Sequence, residues 1–155
     1  MWAVSKFRVF VKYWLPVCVW MVLIFSASGD SHSYQHSSRL IGPLVKFFFP
    51  AISQESLDLV VLGVRKCAHL TEYAILVLLC WRALRKPVKK DPRPWSWPLA
   101  SGCVLLVALY AASDEFHQLF VASRDASVRD VAIDTTGAAL GMLIFWGAGR
   151  WRRRW

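Results

Sequence analysis

The chain is poor in acid. Ten Asp and Glu stand against nineteen Lys and Arg, a formal net charge of +9. Such an excess would suit a nucleic-acid partner if the basic residues covered one folded surface. They sit instead in short blocks between apolar runs, a pattern that orients a chain in a membrane, and no nucleic acid is expected. Paired cysteines are also missing. Cys18, Cys67, Cys80 and Cys103 lie within apolar stretches and form no CxxC. That excludes a disulfide framework and a cysteine-rich zinc site, and leaves the four as small buried packing residues. There are no repeats, and no low-complexity tract beyond a basic tail at 150–155. Several long stretches lack any polar face, which a helix of a soluble bundle requires.

What is present fits lipid. The hydrophobic fraction is 56%, and nine Trp and nine Phe can anchor a protein at two interfaces. Mean hydropathy is +0.39. The apolar runs predict an all-α membrane protein, one domain over residues 1–155, with four transmembrane helices at about 13–28, 65–84, 97–120 and 128–149. The first run also reads as a signal peptide, with a basic start and Ser26, Ala27 and Ser28 as a small-residue cleavage site. Its length favours an uncleaved helix. Residues 29–38 read as a polar loop. Residues 40–52, broken by Gly42, Pro43, Lys46 and Pro50, are too short to span and predict an interfacial or re-entrant segment. Residues 55–84 are long for one span, so a split near Gly63 is expected, with 56–64 as an interfacial lead-in. The 85–98 segment, where Asp91 is the one acid, reads as a solvated loop, and Trp95 and Trp97 as interface anchors. Ser127 and Asp130 look like a capping box that starts the last helix at Val128. Gly137 and Gly141 form a GxxxG pair that permits close helix approach.

Thirteen of the nineteen basic residues fall in the N-terminal segment, the 82–93 region and the C-terminal tail. The positive-inside rule therefore predicts both termini and the 85–98 loop in the cytoplasm of a bacterial inner membrane. Three polar clusters then lie at one depth. Glu72 falls roughly 10 Å below Arg65, Asp114 roughly 25 Å up from Trp97, and Asp134 roughly 6 Å below Asp130 at 1.5 Å per residue. Charge in hydrocarbon is tolerated mainly where it faces protein or a wet cavity. Helical spacing puts Arg65, His69, Glu72 and Tyr73 on one face, Tyr110, Asp114, His117 and Gln118 on another, and Asp130, Asp134, Gly137 and Gly141 on a third. The expected product is an outward-facing polar pocket.

Three chemistries compete for it. Acid–base work would fall to His69, Glu72, Asp114, Glu115, His117 or Asp134 as candidate catalytic residues. Recognition of a polar or anionic head group would fall to Arg65, Lys66, Tyr73, Gln118, Arg124, Arg129 and Asp130. A divalent metal would need His69 and Glu72 on one helix facing Asp114 and His117 on another. That alternative is weakened by the missing bundle carboxylates, and no cofactor is otherwise expected. A structural alternative is a buried ion-pair network, such as Asp114–Arg65 or Asp134–Lys66, that only joins helices.

The stretches RKCAHLTEY (65–73), SDEFHQ (113–118), Arg124 and DVAIDTTG (130–137) with Gly141 resemble the VanZ-like family of small bacterial membrane proteins over about residues 10–148. One departure is local: Val121, Ala122 and Ser123 precede Arg124, where family members often show Pro-Gly before the arginine. The resemblance implies a link to resistance against lipid-tailed glycopeptides such as teicoplanin, which act outside the membrane. It gives no reaction. The expected partner is an amphiphile: a membrane lipid, a lipid-linked cell-wall precursor or a lipoglycopeptide. A membrane enzyme acting on a lipid head group and a small ion- or proton-coupled transporter are the alternatives. The transporter would need a polar path that the apolar inner halves of the spans do not offer, although a homo-oligomer could provide one.

Overall fold

The structure, a computed structural model, describes residues 2–28, 33–86, 91, 93–120 and 127–152. Its elements are helices: α1 (Trp2–Val9), a π-helical stretch (Phe10–Trp14), α2 (Leu15–Ser28), α3 (Ser33–Phe48), α4 (Gln54–Arg85), α5 (Trp97–Gln118) and α6 (Val128–Trp151). No strand occurs among the described residues. Four helices are long and apolar enough to cross a membrane: Lys6–Ser28, Gln54–Arg85, Trp97–Gln118 and Val128–Trp151. The expected all-α, four-span architecture is present.

Helix α4 is the hub and packs against α2, α3, α5 and α6. Its partnership with α6 rests on the two glycines. A Cβ on Gly137 would fall 2.4 Å from the Leu70 carbonyl oxygen, and one on Gly141 would fall 2.8 Å from the Ala74 Cβ. Only hydrogen at these positions lets the backbones meet. The contacts Gly137–Leu70 and Gly141–Ala74 advance together, so α4 and α6 run parallel.

Two boundaries differ from those the sequence predicts. Helix α4 is continuous through Gly63. Ser53 caps it, its hydroxyl accepting from the Ser56 N–H at 3.2 Å, and one interior glycine costs a helix only about 1 kcal/mol. At 32 residues α4 reaches roughly 48 Å, well beyond a hydrocarbon core of roughly 30 Å. Helix α3 begins inside the expected 29–38 loop and packs beside the first turns of α4, with Gly42 against Leu57. It is amphipathic and too short to span. Leu40, Leu44, Phe47 and Phe48 are exposed on it, as suits a helix lying in an interface. Two cysteines also depart from the packing expected of them: Cys80 and Cys103 are buried, whereas Cys18 and Cys67 are exposed on the outside of the bundle.

The end of the bundle near Trp81 is aromatic and clasped. Trp81 stacks on Trp95 with ring centroids 4.4 Å apart, and Trp97 lies 5.4 Å from Trp146. Trp95 is thus as much a packing residue as an anchor. The described part of the 85–98 segment is not simply solvated. Arg85 is buried and donates to Asp91 Oδ2 at 3.2 Å and to the Pro94 carbonyl at 3.0 Å. Arg93 donates to Asp91 Oδ2 and to the Arg85 carbonyl, both at 2.7 Å, which satisfies an oxygen left open at the end of α4. The Arg93 side chain, helped by its backbone N–H and by Arg85, holds the Asp91 carboxyl well below the usual carboxylate range.

Candidate functional site

The other end of the bundle gathers the polar residues. On α4, Arg65, His69 and Glu72 follow at four and three residues and so share a face. They line one cavity of about 130 Å³ with Ala27 and Ser28 of α2 and Ser37 of α3. Arg65 donates to the Ser37 hydroxyl at 3.3 Å. Tyr73, expected on the same face, turns into the core instead. It is 0% exposed, 6.3 Å from the Tyr110 ring, and its hydroxyl has no hydrogen-bond partner among the described residues. The wide angle subtended by four residues explains this. A step of eight positions from Arg65 carries Tyr73 roughly 80° around a 3.6-residue helix.

Helix α6 supplies the carboxylates behind that face. Lys66 pairs with Asp130, and His69 Nδ1 lies 3.5 Å from Asp134 Oδ1. Asp134 is 1% exposed. The ion pairs expected from sequence, Asp134–Lys66 and Asp114–Arg65, are therefore replaced by others. The parallel approach of α6 sets which carboxylate meets which base. Helix α5 adds Asp114 and Glu115, both buried. Asp114 Oδ2 accepts from the Ser28 hydroxyl and from Gln118 Nε2 at 3.4 Å. Glu115 accepts from Gln118 Nε2 at 3.2 Å and from the Ser127 N–H at 2.9 Å. One oxygen each of Asp114 and Asp134 is buried without a hydrogen bond among the described residues.

Helix α2 completes the assembly. Trp20 Nε1 donates to the Glu72 carbonyl at 2.9 Å, and the Tyr110 hydroxyl donates to the Met21 carbonyl at 2.6 Å. Ser28 and Ser37 are site residues that the sequence reading missed. By sequence Ser28 reads as part of a small-residue run, yet its position at the end of the first apolar stretch is a usable signal. It marks the depth at which the other polar clusters stand.

Some expected members stand apart. His117 does not line the cavity. Its ring lies 4.2 Å from that of Phe25, and its Nδ1 is buried without a partner among the described residues. Arg129 is exposed, with its backbone N–H on the Ser127 hydroxyl. Arg124 lies outside the described residues. Among the described residues no group of three or more His, Cys, Asp or Glu is placed to hold a metal ion, so the four-residue metal set is not assembled. What is assembled is a recess with a cation, a carboxylate, two hydroxyls and a histidine whose Nδ1 lies 3.5 Å from a buried acid. Such a histidine can exchange a proton through its other nitrogen.

A family model described as VanZ/LLP1 matches residues 13–150, nearly the whole chain. The chain belongs to the VanZ/LLP1 family. The site residues, from Ser28 to Asp134, and the glycines Gly137 and Gly141 fall inside that match. No curated protein and no solved structure matches this VanZ-like chain.

Proposed function

We propose that this VanZ-like protein binds an amphiphile by its polar head in the Arg65–His69–Glu72 recess. The site faces the outer leaflet of a bacterial inner membrane, and the amphiphile is a lipid, a lipid-linked cell-wall precursor or a lipoglycopeptide. The observation that carries this reading is the cavity itself, where side chains of both charges meet hydroxyls within a membrane-spanning bundle. Charge at that depth is tolerated mainly against protein or water. The basic blocks support an orientation with the polar end outside, where glycopeptides act. The His69–Asp134 pair favours a second reading, in which the bound head group is also modified by proton transfer.

One set of variants tests both. Native mass spectrometry of the purified full chain should show retained lipid, reduced by Arg65→Ala. Expression in a teicoplanin-sensitive bacterium should raise the inhibitory concentration. His69→Gln should keep the lipid if the protein only binds. Loss of the cellular effect with lipid still retained supports the chemical reading. Absence of any retained amphiphile from the wild-type protein overturns both.

A further inference from the structure

The recess is small. Cavities that enclose drug-sized ligands measure about 300–1,000 Å³, and this one measures about 130 Å³. A sugar or peptide head does not enter it whole. Its chemistry is also two-sided. Arg65 stands at its rim beside Ser37, and Glu72 lies two turns deeper along α4, roughly 10 Å away by helix rise. The Glu72 carboxylate accepts no hydrogen bond among the described residues, although it lines a cavity within a membrane-spanning helix. A carboxylate so placed calls for a cation.

We propose that the recess takes the zwitterionic head of a phospholipid bearing a primary amine, with the phosphate at Arg65 and the ammonium at Glu72. This rests on the amphiphile-binding reading and narrows it to one head-group chemistry. The rim lies where α3 meets α4, and the exposed Leu40, Leu44 and Phe48 of α3 give the acyl chains an apolar neighbour. The phosphate stays at the rim and the short amine arm folds inward. Three N–H donors on the amine suit Glu72 and the Ser28 hydroxyl. A quaternary ammonium donates none and is recognised by aromatic cages, and no Trp, Tyr or Phe lines this cavity among the described residues. A phosphoglycerol head carries the same phosphate but brings no cation for Glu72.

The test is lipid binding to the full chain in nanodiscs of defined composition, read by native mass spectrometry after limited delipidation. Phosphatidylethanolamine should be retained about tenfold over phosphatidylglycerol and phosphatidylcholine, the discrimination expected of one charged hydrogen-bonded contact. Glu72→Gln should abolish the preference while leaving total lipid retained, and Glu72→Asp should restore part of it. A thermal transition in each variant checks folding. Equal retention of the three lipids overturns this proposal alone, whereas retention of none overturns the amphiphile reading with it. Soluble phosphoethanolamine binding as tightly as the lipid would overturn the lipid source. An unchanged preference in Glu72→Gln would remove Glu72 from the site.

Discussion

The Ser127 N–H donates to Glu115 Oε2 at 2.9 Å, and the Ser127 hydroxyl accepts from the Arg129 N–H at 3.2 Å. In a capping box the residue three positions on would reach back to the cap's own N–H. Asp130 holds that position but is engaged by Lys66, and Glu115 of α5 takes the role instead. The start of α6 is thus tied to α5 by a charge-assisted bond inside the polar network, which fixes where Asp134 meets His69. Replacing Glu115 with Ala should loosen the first turn of α6 by about 1 kcal/mol, read as faster amide exchange at Arg129–Val131. Asp130→Asn should leave those amides protected and affect Lys66 instead. The reverse ranking would restore the local capping box. The serine cap was legible in the sequence because helix starts are written locally. Its second acceptor comes from another helix, and no local pattern records that.

Elements obey the same division. Four spans were legible because the length of an apolar run is a one-dimensional property. The extension of α4 to Gln54 was not, since Gly63 reads as a break when the neighbour that supports the helix is unknown. That neighbour is α3, packed on the turns around Leu57. The three polar clusters were legible as faces at a common depth. Their pairing was not, because it depends on how far α6 slides and turns against α4, and Gly137 and Gly141 set that. Gly137→Ala should be strongly destabilising: the nearest obstacles are Leu70 backbone atoms at 2.4 and 2.7 Å, which cannot rotate away. A loss of about 3 kcal/mol is expected, with a displaced His69–Asp134 contact. Gly147→Ala in the same helix meets nothing within 4 Å and should gain up to about 1 kcal/mol from helix propensity. Denaturant unfolding in detergent compares the two. Equal effects would mean that the α4–α6 contact is looser than a 2.4 Å approach at Gly137 requires.

At the scale of the whole molecule, the first span decides whether there is a recess at all. Hydropathy alone allowed it to be a leader removed at Ser28, and the later spans would have kept their order without it. The packing argues otherwise. Val17 and Ile24 are buried in the common core. Trp20 and Met21 exchange hydrogen bonds with α4 and α5, and Ser28 satisfies one oxygen of Asp114. Without α2 the cavity loses the wall formed by Ala27 and Ser28, and Asp114 keeps only its bond to Gln118 among the described residues. A buried carboxylate stripped of a donor is among the more damaging losses a membrane bundle can suffer. The intact mass of protein extracted from membranes should therefore include residues up to and beyond Ser28. A chain begun at residue 29 should lose its cooperative thermal transition and its retained lipid together. Supplying residues 1–28 as a separate peptide should restore both in part, because the contacts it makes are side-chain and carbonyl contacts that do not depend on a covalent link. A mature protein that begins after Ser28 and still retains lipid would show that the recess is built by α3 to α6 alone.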